Sequence, residues 1–308
     1  MRDAVREPVR EPVTVAELAR KVHSVELRAR RTVGELVSGA YHSAFKGQGM
    51  EFQEVREYVP GDDTRAIDWN VTARVGRPYI KRFTEERDQT VMLLLDGSRS
   101  QAFGAERAFK WDVAAEVFAI LAFAAAYNKD EAGLILFAGG VELYVPPGRG
   151  ETHVLRLIRE VLAFEPLANR PRTNGANLSG ALEFLAKVRH RRSLVFVIGD
   201  FQDGGFERQL RIAGRRHDVI AVSVYDAREE NLPDCGLMEC EDAESGERWL
   251  LDTSDPAVRR AYESAADQRA ETLRATLHAA GIDHLRIEAG SDYVRRLIAF
   301  LRIHGKRD

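Results

Sequence analysis

Two runs of the chain are apolar at every position, Val91-Met-Leu-Leu-Leu95 and Leu194-Val-Phe-Val-Ile198. A strand without polar positions belongs in a sheet covered on both faces. Around these runs, apolar residues recur at helical spacing in segments that alternate with further strand-like stretches. The pattern predicts strands at Thr90–Leu95, Ala132–Ala138, Ser193–Ile198, Asp218–Tyr225 and His284–Glu288. Helices are predicted at Glu106–Asn128, Glu151–Leu162, Leu178–Val188, Phe206–Arg215, Pro256–Ala280 and Tyr293–Leu301, with hairpin-like segments at Val141–Val145 and near Met238–Leu251. Such alternation builds an α/β fold, a doubly wound and mainly parallel sheet with helices on both faces. The longest apolar run, Val117 to Tyr127, is about half as long as a membrane span requires, and is read as a buried core helix.

The chain before Thr90 has a different texture. Residues 1–15 carry charge, two prolines and a repeated Arg-Glu-Pro-Val, and read as a flexible tail. From Ala16 to Leu36, Leu18, Val22, Val25 and Leu27 mark an amphipathic helix whose other face is rich in arginine and is expected to be solvated. Between residues 47 and 89, glycines and prolines punctuate short runs that suggest strands and turns. The expected organisation is a tail (1–15), a helix with a charged β-rich attachment (16–89), an α/β domain (90–303) and a short tail (304–308).

Composition narrows the function classes. With 45 basic and 48 acidic residues the formal charge is −3, so neither nucleic acid nor an anionic membrane is an expected partner. Cys235 and Cys240 have no zinc-finger spacing and are read as reduced structural cysteines. The first residues lack the apolar stretch of a signal peptide, and a cytoplasmic location without direct membrane insertion is the expectation.

In open α/β sheets, ligands bind beyond the carboxyl ends of the strands, where the strand order switches. That rule selects the loops after Leu95 and Ile198, which contain Asp96 and Asp200. Asp96, Ser98 and Ser100 alternate along the first loop and offer carboxylate and hydroxyl oxygens toward one point. With Asp200 they form a hard oxygen set suited to Mg²⁺ or Mn²⁺. Gly97 and Gly199 are read as giving the loops freedom to turn. A competing reading has Asp96 cap a helix starting near Ala105.

The loop Asp96-Gly-Ser-Arg-Ser100 resembles the metal-ion-dependent adhesion site of von Willebrand factor A domains. The upstream run EFQEVREYVPGDDTRAIDWNVTAR from Glu51 to Arg74, continued by Lys81-Arg-Phe-Thr-Glu-Glu-Arg87, resembles the signature of the bacterial family called domain of unknown function 58. The likeness covers about Ala16 to Ile303. It implies a von Willebrand factor A-like protein paired with a MoxR-type AAA+ ATPase, in assembly or remodelling of other proteins. It also implies that Ser98 and Ser100 contact metal directly, while Asp96 and Asp200 act mainly through water. The usual Gly-Thr-Asp-Leu corresponds to Gly175-Ala-Asn-Leu178. Ala176 therefore stands where a threonine ligand is usual, Thr173 is the candidate substitute, and weak metal binding is expected. Gly199 and Gln101 replace a common serine and methionine.

The residues also bear on other chemistry. A haloacid-dehalogenase-type phosphatase using Asp96 needs a second acid two positions on, where Ser98 stands. No phosphate-cradling Gly-x-x-x-x-Gly-Lys-Ser/Thr run occurs. A nuclease-like cluster of Glu54, Glu57, Asp62, Asp63 and Asp68 is opposed by the interleaved Arg56, Arg65 and Arg74, which favour bracing ion pairs. Trp69 is read as a core anchor, Arg189-His-Arg-Arg192 as a decorated helix end, and His23, His190 and His217 as structural or surface. The expectation is a non-catalytic, metal-assisted protein-interaction module, whose partner is a MoxR-type AAA+ ATPase or its client. A hydrolase using Asp96 and a structural module with a vestigial metal site are the alternatives.

Overall fold

The computed structural model describes residues 15–37, 49–60, 62–86, 89–104, 108–164 and 175–304. Of the expected tails 1–15 and 304–308, residues 1–14 and 305–308 lie outside the described residues, as does Thr173, while Val15 and His304 are the end residues of helices.

The central sheet has six strands: β3 (Thr90–Asp96), β4 (Glu131–Phe137), β5 (Val141–Gly148), β6 (Leu194–Gly199), β7 (Asp218–Tyr225) and β10 (Asp283–Glu288). Their order is β10-β7-β6-β3-β4-β5. All neighbours run parallel except β5, which lies antiparallel on the β4 edge. Within this sheet the chain enters at β3, winds outward to β5, then crosses to β6 and winds the other way. The strand order therefore switches between β3 and β6, which places the crevice where doubly wound folds bind ligands at Asp96 and Asp200.

Strand side chains alternate between faces, and the two cores divide accordingly. Val91, Leu93 and Leu95 meet α1 (Val15–Val37), α3 (Lys110–Tyr127), α4 (Glu151–Ala163) and α8 (Tyr293–His304). Met92 and Leu94 meet α5 (Leu178–Val188), α6 (Glu207–Arg216) and the end of α7 (Pro256–Ala279). The apolar run Val117–Tyr127 belongs to α3, most of which is buried. Among the described residues no helix is long and apolar enough to cross a membrane.

In α1 the buried stripe is Val25, Ala29 and Val33, whereas Leu27 is exposed. Its basic face is not simply solvated. Arg28 reaches Glu116 at 3.2 Å, and Arg30 forks onto Glu151 at 3.1 and 2.8 Å while its guanidinium lies 5.1 Å above the Phe123 ring. These contacts fasten the helix to α3 and α4.

The attachment consists of an antiparallel pair, β1 (Gly49–Glu57) and β2 (Tyr79–Glu86), with a short helix α2 (Trp69–Val75) between them. Asp68 caps α2 by accepting from Asn70 N at 3.0 Å and Val71 N at 3.3 Å. Arg56 pairs with Asp62 at 2.7 Å, an instance of the expected bracing. Trp69 corrects its reading, being 70% exposed on the first turn of α2 rather than a core anchor. The second hairpin, β8 (Leu237–Glu241) and β9 (Arg248–Asp252), carries both cysteines' neighbourhood. The two thiols are free, but Cys235 is exposed and Cys240 only half-buried, so neither is a core residue.

Candidate metal centre

The last residue of β3, Asp96, is 2% exposed. Its Oδ1 accepts from Ser98 N at 2.9 Å and its Oδ2 from Gln101 Nε2 at 3.2 Å. These bonds fold the loop into an Asx turn that runs into a 3₁₀ turn at Arg99–Ala102. The turn brings Ser98 Oγ and Ser100 Oγ within 3.0 Å of each other. Asp96 thus shapes the loop and does not cap the next helix, which starts at Lys110 with Phe109 at its N-cap.

Neither Gly97 nor Gly199 is among the glycines with positive φ, so conformational freedom is not their role. A Cβ on Gly199 would sit 2.7 Å from Asp96 Cβ. The common serine is excluded by the close approach of β3 and β6. Ala176 lines a narrow cleft together with Asp96, Asp200 and Asp203, which is where a threonine hydroxyl would have entered the site. Asn177 begins α5 by accepting from Gly180 N at 2.7 Å.

Asp200 follows β6 and is held by a residue the sequence reading did not single out. Lys110 Nζ donates to Asp200 Oδ2 at 2.9 Å and to Glu229 Oε1 at 2.6 Å, with the lysine side chain 0% exposed. Glu229 is itself fixed, accepting from Gln202 Nε2 at 2.9 Å and, through Oε2, from Asp226 N at 3.0 Å. Two more carboxylates join the cluster. Glu244, at the tip of the β8–β9 hairpin, accepts from Ser100 N at 3.0 Å through Oε1, while its Oε2 is buried with no hydrogen-bond partner. Asp203 likewise has a buried, partnerless Oδ2.

The electrostatics follow from this crowding. Burial, reinforced by Asp200 and Asp203, pushes Asp96 up to about 8. Burial, with Asp200 and Glu244 adding repulsion, pushes Asp203 up to about 7, and burial raises Glu244 as well. Burial alone would raise Asp200, but the Lys110 ammonium outweighs it and holds that carboxyl below its ordinary value. Burial alone would depress Lys110, yet Asp200 and Glu229 hold it above the usual lysine range.

The edge therefore gathers Asp96, Asp200, Asp203 and Glu244 with Lys110 as the cation on Asp200. Its donor set of carboxylates and serine hydroxyls suits a hard divalent ion, and the partnerless carboxylate oxygens fit one too. Among the described residues no group of three His, Cys, Asp or Glu has metal-ligand spacing, so such an ion would depend on Ser98 and Ser100. Of the sequence candidates, Asp96, Ser98, Ser100 and Asp200 come together and Thr173 is outside the described residues. Lys110, Glu229 and Glu244 were missed, being 90 to 144 residues from the groups they bind. Asp203, three residues after Asp200, was open to notice.

A family model described as protein of unknown function DUF58 matches residues 54–272. The chain belongs to that family. An uncharacterized protein of Mycobacterium tuberculosis is 29% identical over 287 residues, covering 92% of this chain and 89% of its own length. Among solved structures, the conserved hypothetical protein BatB from Bacteroides thetaiotaomicron is similar at 14% identity and a TM-score of 0.46, over 71% of this chain and 99% of that one. The SpRpn10 VWA domain is similar at 11% identity and a TM-score of 0.35, over 68% of this chain and 93% of its own. The DUF58 chain is a doubly wound α/β fold, with its central sheet wound out from β3 in both directions.

Proposed function

We propose that this DUF58 protein is a non-catalytic protein-interaction module whose carboxyl-edge oxygen cluster binds Mg²⁺ or Mn²⁺ and docks a carboxylate of a partner. The reading extends to an adaptor working in the cytoplasm with a MoxR-type AAA+ ATPase or its client. One observation carries it: Asp96, Ser98 and Ser100 are folded into one turn beside Asp200, at the switch point, with buried carboxylate oxygens left without a partner. When bound, the ion supplies an open coordination position that attracts an acidic side chain. Ser98 and Ser100 would ligate it through their hydroxyls, and Asp96 and Asp200 would orient its waters. Lys110 keeps Asp200 ionised for that task.

The same lysine supports a second reading, in which Lys110 is the resident cation and the metal site is vestigial. Ala176 in place of threonine favours this too. The test is a pull-down with the purified MoxR-type ATPase, run with EDTA and with the Ser98→Ala/Ser100→Ala double variant alongside a thermal melt. Metal-dependent docking requires both treatments to weaken capture while the melt is unchanged. Capture indifferent to both removes the metal edge as the docking surface. Phosphate-ester turnover abolished by Asp96→Asn would replace the adaptor with an enzyme.

A further inference from the structure

Toward the opposite end of the sheet, a cleft of about 390 Å³ opens between the C-terminal half of α5 and the length of α6. That size is typical of small-ligand sites. Leu182, Leu185, Ala186, Ile212 and Ala213 give it apolar walls, and His217 lines it just before β7.

His217 is 2% exposed, and neither of its ring nitrogens has a hydrogen-bond partner. Gln209, also lining the cleft, has a buried and partnerless Oε1, although its Nε2 donates to Glu183 at 3.1 Å. Buried polar groups are nearly always paired, because an unmade bond forfeits the hydration that burial removed. The orphaning is not general to the histidines of this protein. His304 bonds Asp283 and Asp218 through its two nitrogens, and His284 bonds Ser223. Two residues that carry buried, orphaned polar atoms thus line the same apolar cleft.

Charge says what kind of ligand. Lys187, Arg208 and Arg216 line the cleft, and Glu183, the acid among the lining residues, already accepts from Gln209. Burial keeps the His217 ring neutral, helped by Arg216 and by Arg189 and Arg192 on the α5–β6 connection. A neutral imidazole retains one donor and one acceptor.

We propose that the α5–α6 cleft binds a small amphiphilic organic anion, its apolar body against the α5 and α6 side chains and its acidic head between the cationic rim and the orphaned His217. This gives the Arg189–Arg192 cluster a role as part of the field that selects an anion. The site is independent of the metal edge.

Decanoate is a suitable probe, followed by calorimetry and by the ¹⁵N resonances of the His217 ring in the full chain. The expected result is saturable one-to-one binding that shifts the His217 resonances. Ile212→Trp and Ala186→Leu, which narrow the cleft from its rim and its wall, should each weaken binding about tenfold or more with an unchanged melting temperature. Arg216→Gln should weaken it several-fold, and n-decanol, the same tail without the charge, should bind at least about tenfold more weakly than decanoate. Non-saturable binding, binding by both cleft variants as tight as by wild type, unmoved His217 resonances, or decanol matching decanoate would each overturn the proposal.

Discussion

The two ends of the central sheet are built on the same strands yet carry opposite chemistry. At the carboxyl end, Asp96, Asp203 and Glu244 crowd around Asp200, which Lys110 pairs. At the amino end, Arg189 bonds Ser193 Oγ and Thr90 Oγ1, and His217 and His304 sit at or near strand starts. Burial is common to both ends, so burial alone does not set the behaviour of a group. Partners do. Lys110 is buried yet charged because two carboxylates outweigh its burial, whereas His217 is neutral because burial disfavours its charge and the nearby arginines add to that rather than oppose it.

The largest expected effect of breaking this contrast is at Lys110. Removing one member of a buried ion pair leaves its partners' charge uncompensated, at a cost of about 3–5 kcal/mol. Lys110→Met should lower the urea-unfolding free energy by that order, because Asp200 and Glu229 lose their shared cation. A loss below about 1 kcal/mol, the scale of an exposed pair, would mean that the pair is not sealed from water.

The two histidines should sharpen the comparison by titrating in opposite senses. Burial lowers His304, but Asp218 and Asp283 outweigh it and raise the ring from 6.5 to about 9. Its stabilisation is complete below the unfolded value of 6.5 and is lost as pH rises through about 9. For His217, burial and the neighbouring Arg216, Arg189 and Arg192 lower the ring from 6.5 to about 4. Its contribution is present above 6.5 and is lost as pH falls toward 4. Each is worth on the order of 2–3 kcal/mol at full effect. Unfolding curves across pH should therefore flatten on the alkaline side in His304→Gln and on the acid side in His217→Phe. Unchanged pH slopes in either variant would detach that histidine from the account.

Much of the fold was legible because its signals are local. Val91–Leu95 and Leu194–Ile198 announce buried strands by themselves, and α3 announces itself by an unbroken apolar run. The switch-point rule then selected Asp96 and Asp200 without any distance being known. What the sequence concealed depends on the folded chain bringing remote groups together. Nothing near Lys110 in sequence indicates a carboxylate 90 or 119 residues away, and Glu244 arrives on a hairpin that looks like an appendage. Gly199 was read for its freedom to turn, whereas what matters is the 2.7 Å approach to Asp96 Cβ. Trp69 was assigned to the core because large apolar residues usually are, but it occupies a short helix with no buried residue.

The Gly199 approach gives a smaller but sharp prediction. Gly199→Ser restores the common residue of the metal loop and still should destabilise, by about 1–3 kcal/mol, as overpacking does. A melting temperature unchanged or raised would show that β3 and β6 can separate enough to admit the hydroxyl.

The proposed docking stands or falls on the carboxyl end of the sheet taking a divalent cation. Calorimetric titration of Mn²⁺ into wild type, Asp96→Ala and Ala176→Thr measures this directly. Wild type should give saturable heat, Asp96→Ala none, and Ala176→Thr tighter binding, since it returns the missing hydroxyl. No binding by wild type at millimolar Mn²⁺, or equal binding by wild type and Asp96→Ala, would contradict it and leave Lys110 as the edge's resident cation.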